Sequence, residues 1–403
     1  MDLTSGYPYW PVKNGLLQTY PPLETDATCD VLVIGGGITG ALIAFHLTEA
    51  GVDAVLIDKR DIGWGSTGAT TGLLQYEIDL PLAELIDLVG EDHAVRAYLA
   101  CLDAVKRIEQ LVDRLDDRSG FEQKTSVYLA ARRRDVKLFK REYDLRRRHG
   151  IRLDWLDKRD IASRYSFARP AALLSYDAAQ VDAYRLTHTL LRHARQAGLR
   201  VFDRSEVTSV VAGKSDIMAQ VARRATIRAR QVVFATGYES QSYLSEPVAK
   251  LVSTWALASE PLTTFEGWND QALIWEHADP YFYLRSTADG RAMIGGEDER
   301  FRNPVLRDRL IARKTRQLRR KFARLFPHIP LEVAFSWTGT FGETKDGLPY
   351  IGATPEWPHA WFALCHGGNG IVFGILAAEI IRDAILGRRH EYEPLFAFDR
   401  GRG

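Results

Sequence analysis

The chain has 403 residues, 46% of them hydrophobic and 26% charged, with a formal net charge of +1 at neutral pH. That length exceeds one ordinary domain, and so balanced a charge excludes a protein steered globally toward nucleic acid or an anionic surface. Three scattered cysteines, Cys29, Cys101 and Cys365, exclude a disulfide framework and a Cys-x-x-Cys metal site, and they suit a cytoplasmic location. No basic segment followed by an apolar run opens the chain, and no stretch of about 18 apolar residues interrupts it, so neither a signal peptide nor a membrane span is expected.

The first 28 residues, rich in Pro, Tyr and Trp, read as an extended arm over the surface. Val31 to Ile34 is a continuous aliphatic run, the pattern of a strand buried on both faces. A glycine turn, a helical stretch stopped by Gly51 and a second buried strand, Ala54 to Ile57, complete a βαβ unit. Helical spacing dominates from about Pro81 to Arg148 and returns from Tyr184 to Ala197, which feeds a strand at Arg200 to Phe202. Gln231 to Phe234 is a further buried strand. Thr254 to Ile294 alternates aromatic and polar residues as antiparallel sheet does. A charged helix is predicted from Pro304 to Phe326, and a strand at Trp361 to Cys365, a glycine turn and an apolar helix to Leu386 end the pattern. The arginine-rich stretches 132–148 and 300–324 carry apolar residues at helical spacing and read as solvated helix faces.

Gly35, Gly37 and Gly40 form G-x-G-x-x-G between a buried strand and a helix, with Ile38 and Thr39 inside the turn. The first glycine permits the turn, the second lets backbone approach a pyrophosphate, and the third allows close helix–strand packing. Unpaired N–H groups at the helix start then face phosphate charge. Asp58, followed by Lys59, ends the next strand where a carboxylate can accept from ribose hydroxyls. Beyond it the chain continues as a glycine and hydroxyl loop rather than a regular crossover helix. Ser66, Thr67, Thr70 and Thr71, with Gly72 and Leu73, suit backbone running along a diphosphate and ribityl chain, which favours FAD over a nicotinamide cofactor.

These pieces together resemble the FAD-dependent amine and amino-acid oxidase family, which includes D-amino-acid, glycine, sarcosine and γ-glutamylputrescine oxidases. The resemblance rests on VLVIGGGITG at 31–40, GSTGATTG at 65–72, ATG at 235–237 and DGLPYIG…WFALCHGGNGI near the end. It implies an α/β fold: a discontinuous Rossmann-like FAD-binding domain (1–80, 171–245, 336–403) interleaved with an α+β substrate domain on an antiparallel sheet (81–170, 246–335). It also implies that Val207 frames the adenine, that Thr236 and Gly237 lie near the pyrophosphate, and that Gly367, Gly368, Asn369, Gly370 and Ile371 pass along the flavin. A helix start at that turn supplies N–H donors and positive potential where a reduced flavin carries negative charge. Two departures stand out. Phe341 or Gly342 occupies the place where carboxylate-binding members often carry an arginine, and Met293 falls where sarcosine-type oxidases carry a lysine that promotes reaction with oxygen.

The expected chemistry is oxidation of a C–N bond of an amine or amino acid, with oxygen or an electron carrier as acceptor. The alternatives are a dehydrogenase passing electrons to a quinone or carrier protein, and a flavin-binding subunit without turnover. Trp275, Tyr281, Phe282 and Tyr283 are read as walls that exclude water from the reacting centre. On a strand, Tyr281, Tyr283 and Arg285 share a face. Arg285 there reads either as a partner for a substrate carboxylate or as a cross-sheet ion pair. His366 reads as orienting substrate or flavin, or as a structural histidine; Glu343 and Lys345 are weaker candidates. Cys365 reads as a buried thiol, with covalent flavin attachment as its alternative.

Overall fold

Continuous and alternating apolar runs sort into two different sheets. A computed structural model describes residues 2–222, 225–301, 303–364 and 367–400. The continuous runs build an eight-stranded sheet. Its spatial order is Tyr350–Ala353, Ala360–Leu364, Ala225–Phe234, Ala27–Ile34, Ala54–Ile57 and Arg200–Phe202, and Ile217–Val221 with Val207–Ala212 extend it beside Ala225–Phe234. From Ala360–Leu364 to Arg200–Phe202 every pairing is parallel. Both faces are covered. Val31, Val33 and Leu56 pack beneath the helices Ile38–Glu49, Ala183–Gln196 and Gly370–Ile385, while Leu32, Ile34, Val55 and Ile57 pack against Ile217, Val221 and Phe362. This is why those strands lack alternation. The arrangement is the Rossmann-like one expected.

The alternating runs build a ten-stranded sheet ordered Thr4–Gly6, Val333–Glu343, Lys250–Ser259, Ala292–Glu299, Phe282–Ser286, Leu273–His277, Glu122–Ala130, Ala171–Gln180 and Leu73–Leu74, with Leu153–Asp157 also paired to Ala171–Gln180. All neighbours are antiparallel except Leu273–His277 beside Glu122–Ala130. Side chains alternate across it. Trp255, Leu257, Phe282, Leu284 and Ile294 pack beneath Leu318 and Phe322 of the helix Ile311–Leu325, whereas Thr254, Ala256, Tyr281, Tyr283, Trp337 and Phe341 face a cavity.

Several expectations change. The opening segment is no surface arm: Thr4–Gly6 pairs with Val333–Glu343, and Tyr9 and Trp10 are buried. Trp10 donates to the Thr70 carbonyl at 2.7 Å and Tyr9 to Asp289 at 2.6 Å, so its aromatic content serves burial. Within the region read as helical, Glu122–Ala130 is a strand, whose burial among long-range partners overrides local spacing. The charged helix is broken at Leu310 into Pro304–Arg309 and Ile311–Leu325. Ala171–Gln180 and Val333–Glu343 belong to the ten-stranded sheet, so the boundaries drawn at 171 and 336 fall at or inside its strands. Among the described residues no helix is long and apolar enough to cross a membrane.

Candidate active site

The glycine turn after Ala27–Ile34 is shaped by close backbone contacts. Gly35 has φ +115°, and a Cβ there would lie 2.3 Å from the Ala235 carbonyl oxygen; one on Gly40 would lie 1.8 Å from that of Gly35. Gly40 therefore lets the helix meet the strand and does not itself face the cleft. Gly35, Gly37, Ile38 and Thr39 line a cavity of about 480 Å³ together with Asp58, Lys59, Thr67, Val207, Thr236, Gly237, Gly370 and Ile371. Asp58 accepts the Gly36 and Arg60 N–H groups, each at 2.7 Å, one on each oxygen, and burial pushes its carboxyl up. Each oxygen keeps a lone pair for a further donor. Thr67 acts in the opposite sense to that expected: its hydroxyl oxygen accepts the Ile38 N–H at 2.9 Å, capping the helix before its own proton is offered to a ligand. Lys59 pairs with Glu239 at 3.0 Å, and the Thr236 hydroxyl shares a 2.9 Å hydrogen bond with Ser240.

At the far end lies a larger chamber of about 770 Å³. Ser66, Thr70, Leu73, Tyr238, Gly367 and Gly368 line both spaces, so the two adjoin end to end along a shared wall. Thr71 and Asn369 line the chamber side. The turn is firmly held: the Gly367 N–H donates to the Gly342 carbonyl at 2.8 Å, that of Gly368 to Asp79 at 2.9 Å, and the Asn369 amide to the Glu77 carbonyl at 2.5 Å. Gly370 then opens a sixteen-residue helix whose start faces the cleft. The two glycine turns, more than 300 residues apart in sequence, thus flank one elongated space.

Tyr283 and Tyr281 lie in the chamber wall, with ring centroids 5.6 Å apart, and Trp275 stacks on Tyr128 at 3.6 Å. Tyr283 lies flat across the sheet because Gly295 stands opposite: a Cβ on Gly295 would come within 2.3 Å of the Tyr283 ring. Phe282 does not line the wall. By alternation it points into the core beneath Ile311–Leu325. Arg285 needs the fuller correction. It is 2% exposed and does not reach the chamber. Its Nη1 donates to the carbonyls of Thr71, Gly72 and Val181 at 2.9–3.1 Å and its Nε to that of Ser286. It thus pairs with neither a substrate carboxylate nor an acid across the sheet; it pins the 71–72 loop to the strand end. Gly72 sits in the same clamp, where a Cβ would meet the Val181 oxygen at 2.2 Å. Met293 is fully buried among Tyr9, Trp10, Tyr184 and Trp337, behind the chamber wall. Glu343 and Lys345 are exposed and line the chamber. Cys365 and His366 lie outside the described residues.

Sequence reasoning missed Asp79 and Asp298. Asp79 opens to the chamber although protein surrounds it, and burial pushes its carboxyl up. Asp298 is pushed up to about 7, first by burial and then by Asp79 and Glu343, against a hydrogen bond from Thr254. Neither aspartate belongs to a recognisable motif; Asp79 comes from a loop held by the Gly368 N–H and Asp298 from a strand, and only the folded chain brings them together.

A long dinucleotide fits this cleft. Glycines whose Cβ atoms would clash line the narrow end, a buried carboxylate with spare lone pairs ends its second strand, and a helix start faces its middle. A family model for FAD dependent oxidoreductases (DAO) matches residues 30–384. Gamma-glutamylputrescine oxidoreductase of Escherichia coli is 26% identical over 95% of this chain and 91% of its own length. The probable oxidoreductase OrdL of Haemophilus influenzae is 22% identical over 94% of this chain and 88% of its own. The crystal structure of glycine oxidase from Geobacillus kaustophilus shares the fold, with a TM-score of 0.76 at 22% identity, covering 94% of this chain and all of that one. The chain belongs to the DAO family of FAD-dependent oxidoreductases, and FAD is its cofactor.

Proposed function

We propose that this enzyme oxidises the C–N bond of an amine or amino acid to an imine, which water then hydrolyses. The observation that carries this is the cavity flanked by both Gly35–Thr39 and Gly367–Ile371 and adjoining an aromatic chamber along Gly367 and Gly368. Gamma-glutamylputrescine oxidoreductase and glycine oxidase, both named for nitrogen-bearing substrates, match nearly the whole chain and support the reading.

Bound FAD supplies the two-electron acceptor for the carbon that bears nitrogen. In this reading Gly35, Gly37 and Thr39 hold the pyrophosphate and Asp58 the ribose. Ser66, Thr70, Thr71 and Leu73 flank the linking chain, and Gly370 and Ile371 present N–H groups to the negative edge of the ring. Trp275, Tyr281 and Tyr283 exclude water and restrict the orientation of the reacting carbon. Arg285 acts indirectly, by fixing the backbone of Thr71 and Gly72. Met293, buried where a lysine would favour oxygen, supports a carrier or quinone as acceptor.

An absorbance spectrum of the purified protein, followed by anaerobic mixing with amines and amino acids, tests the reading. A flavin band that bleaches with at least one of them is expected. A yellow protein that none bleaches would instead mark a flavin-binding subunit. Fast dye reduction with slow oxygen consumption is the result expected for a carrier.

A further inference from the structure

The whole chain carries a net charge of +1, yet nine acidic side chains and only four basic ones line the chamber among the described residues. The basic ones, Arg132, Arg134, Arg300 and Lys345, are all exposed. The guanidinium most deeply placed nearby, Arg285, is consumed by backbone carbonyls.

The segment Glu297-Asp298-Glu299 shows how the acid is aimed. Its flanking members are neutralised from the helix Ile311–Leu325: Lys321 meets Glu297 at 2.7 Å, and Lys314 meets Glu299 at 2.8 Å. A bulge at this point sets Glu297 at φ 61° and shifts the register against Ser253–Trp255. Asp298 is thereby directed into the chamber. Its Oδ1 is buried and, among the described residues, has no hydrogen-bond partner and no ion pair. Asp79 and Glu343 lie close enough to repel its ionised form, so three carboxyls converge, with Lys314, which is itself paired to Glu299, as the weaker opposing influence on Asp298. Beside them stand Trp275, Tyr281 and Tyr283, whose ring faces attract ammonium groups. A carboxyl oxygen buried without a partner and an aromatic wall both call for positive charge from a ligand.

Building on the proposed amine oxidation, we propose that the substrate is an aliphatic diamine or longer polyamine, whose second ammonium is held by Asp79, Asp298 and Glu343 against the aromatic wall. A substrate carboxylate would meet only exposed cations among the described residues that line the chamber, and three acids to repel it.

The test uses the holoenzyme and three probes of one length: a four-carbon diamine, the corresponding monoamine and the corresponding ω-amino acid. Titration calorimetry and anaerobic bleaching should both rank the diamine first, by about tenfold or more over either competitor. Asp298→Asn and Glu343→Gln should each narrow the diamine-to-monoamine ratio, and together should largely abolish it. Glu343 is exposed, so its variant keeps the test open if Asp298→Asn disturbs folding; flavin content of each variant shows which case holds. Equal or tighter binding of the ω-amino acid, or an unchanged ratio in the flavin-loaded double variant, would overturn the proposal. A four-carbon bis-quaternary dication, titrated by calorimetry, separates the two levels. If no amine bleaches the flavin but this dication binds in a Glu343-dependent way, amine oxidation fails and the cation site stands. If amines bleach the flavin and the dication does not bind, the cation site alone falls.

Discussion

The two ends of the cleft are built on opposite principles. At the narrow end the working groups are backbone: the turn at residues 35–40 and the helix it opens, with Asp58 as the carboxylate that the turn's Gly36 N–H holds in place. At the wide end they are side chains drawn from separate strands and loops, Tyr128, Trp275, Tyr283, Asp298 and Glu343 among them. A backbone site depends on where side chains are absent, and glycine spacing records that in a few consecutive residues. A side-chain site depends on register and alternation across a whole sheet, and no short segment records it.

Adding a side chain at the backbone end is therefore the severest change. A Cβ on Gly40 would lie 1.8 Å from the Gly35 carbonyl oxygen, a backbone atom that no side-chain rotation can move aside. Gly40→Ala should give protein that is insoluble or colourless, read by flavin absorbance per polypeptide. Normal flavin content would show that the helix–strand contact has slack and that the narrow end is less backbone-determined than argued.

Arg285 marks the border between the two ends. Arg285→Met leaves the Thr71, Gly72 and Val181 carbonyls without their shared donor, and at about 1 kcal/mol or more for each the loss should reach roughly 3 kcal/mol in urea unfolding. Flavin should be held more weakly, because the 71–72 loop is released. The ratio of activity on amino acids to activity on simple amines should not change. A selective rise in KM for amino acids would place the guanidinium in the chamber after all.

Legibility follows the same division. The βαβ unit, the final helix and both glycine turns were readable because buried parallel strands are continuously apolar and their turns need particular glycines. Arg285 was misread: alternation places it on the face of Tyr283, but it lies at the strand's end, under the 71–72 loop rather than over open space. Phe282 was misread by treating four neighbouring aromatics as one wall, although successive residues on a strand face opposite ways. The bulge that aims Asp298 has no signal in GGEDER beyond an excess of acids. Gly295 could have been suspected, since a glycine inside a strand often marks close approach of another group.

The carboxyl end can be probed through stability alone. Asp298 titrates near 7 in the folded protein against 3.8 in the open chain, facing Asp79, Glu343, the Thr254 hydroxyl and, more distantly, Lys314. Below pH 3.8 both states hold the proton and burial costs nothing through this group. As pH rises toward 7 the unfolded chain releases a proton that the folded one retains, so stability falls, and above about 7 the penalty is constant at up to about 4 kcal/mol. Asp298→Asn removes that penalty. Its melting temperature should exceed that of the parent by a margin that grows from about pH 4 to pH 7 and then levels off. A margin independent of pH would mean that the carboxyl is not held up by its surroundings.

The smallest effect is expected where charge is most abundant. Along the helix Ile311–Leu325, Leu318, Phe322 and Leu325 are buried, and Lys314 and Lys321 reach the acids flanking Asp298. Arg316, Arg319 and Arg320 of the same helix are exposed. Pairs between such solvated groups contribute little, because water and salt screen them and long side chains lose freedom in forming them. Arg320→Ala should leave the melting temperature and flavin content unchanged, whereas Lys314→Met on the buried face should lower both by removing the buried cation that meets Glu299 and the Glu297 carbonyl. Equal losses from the two variants would show that the arginines engage a surface rather than solvent, and that charge on this helix does more than keep one face wet.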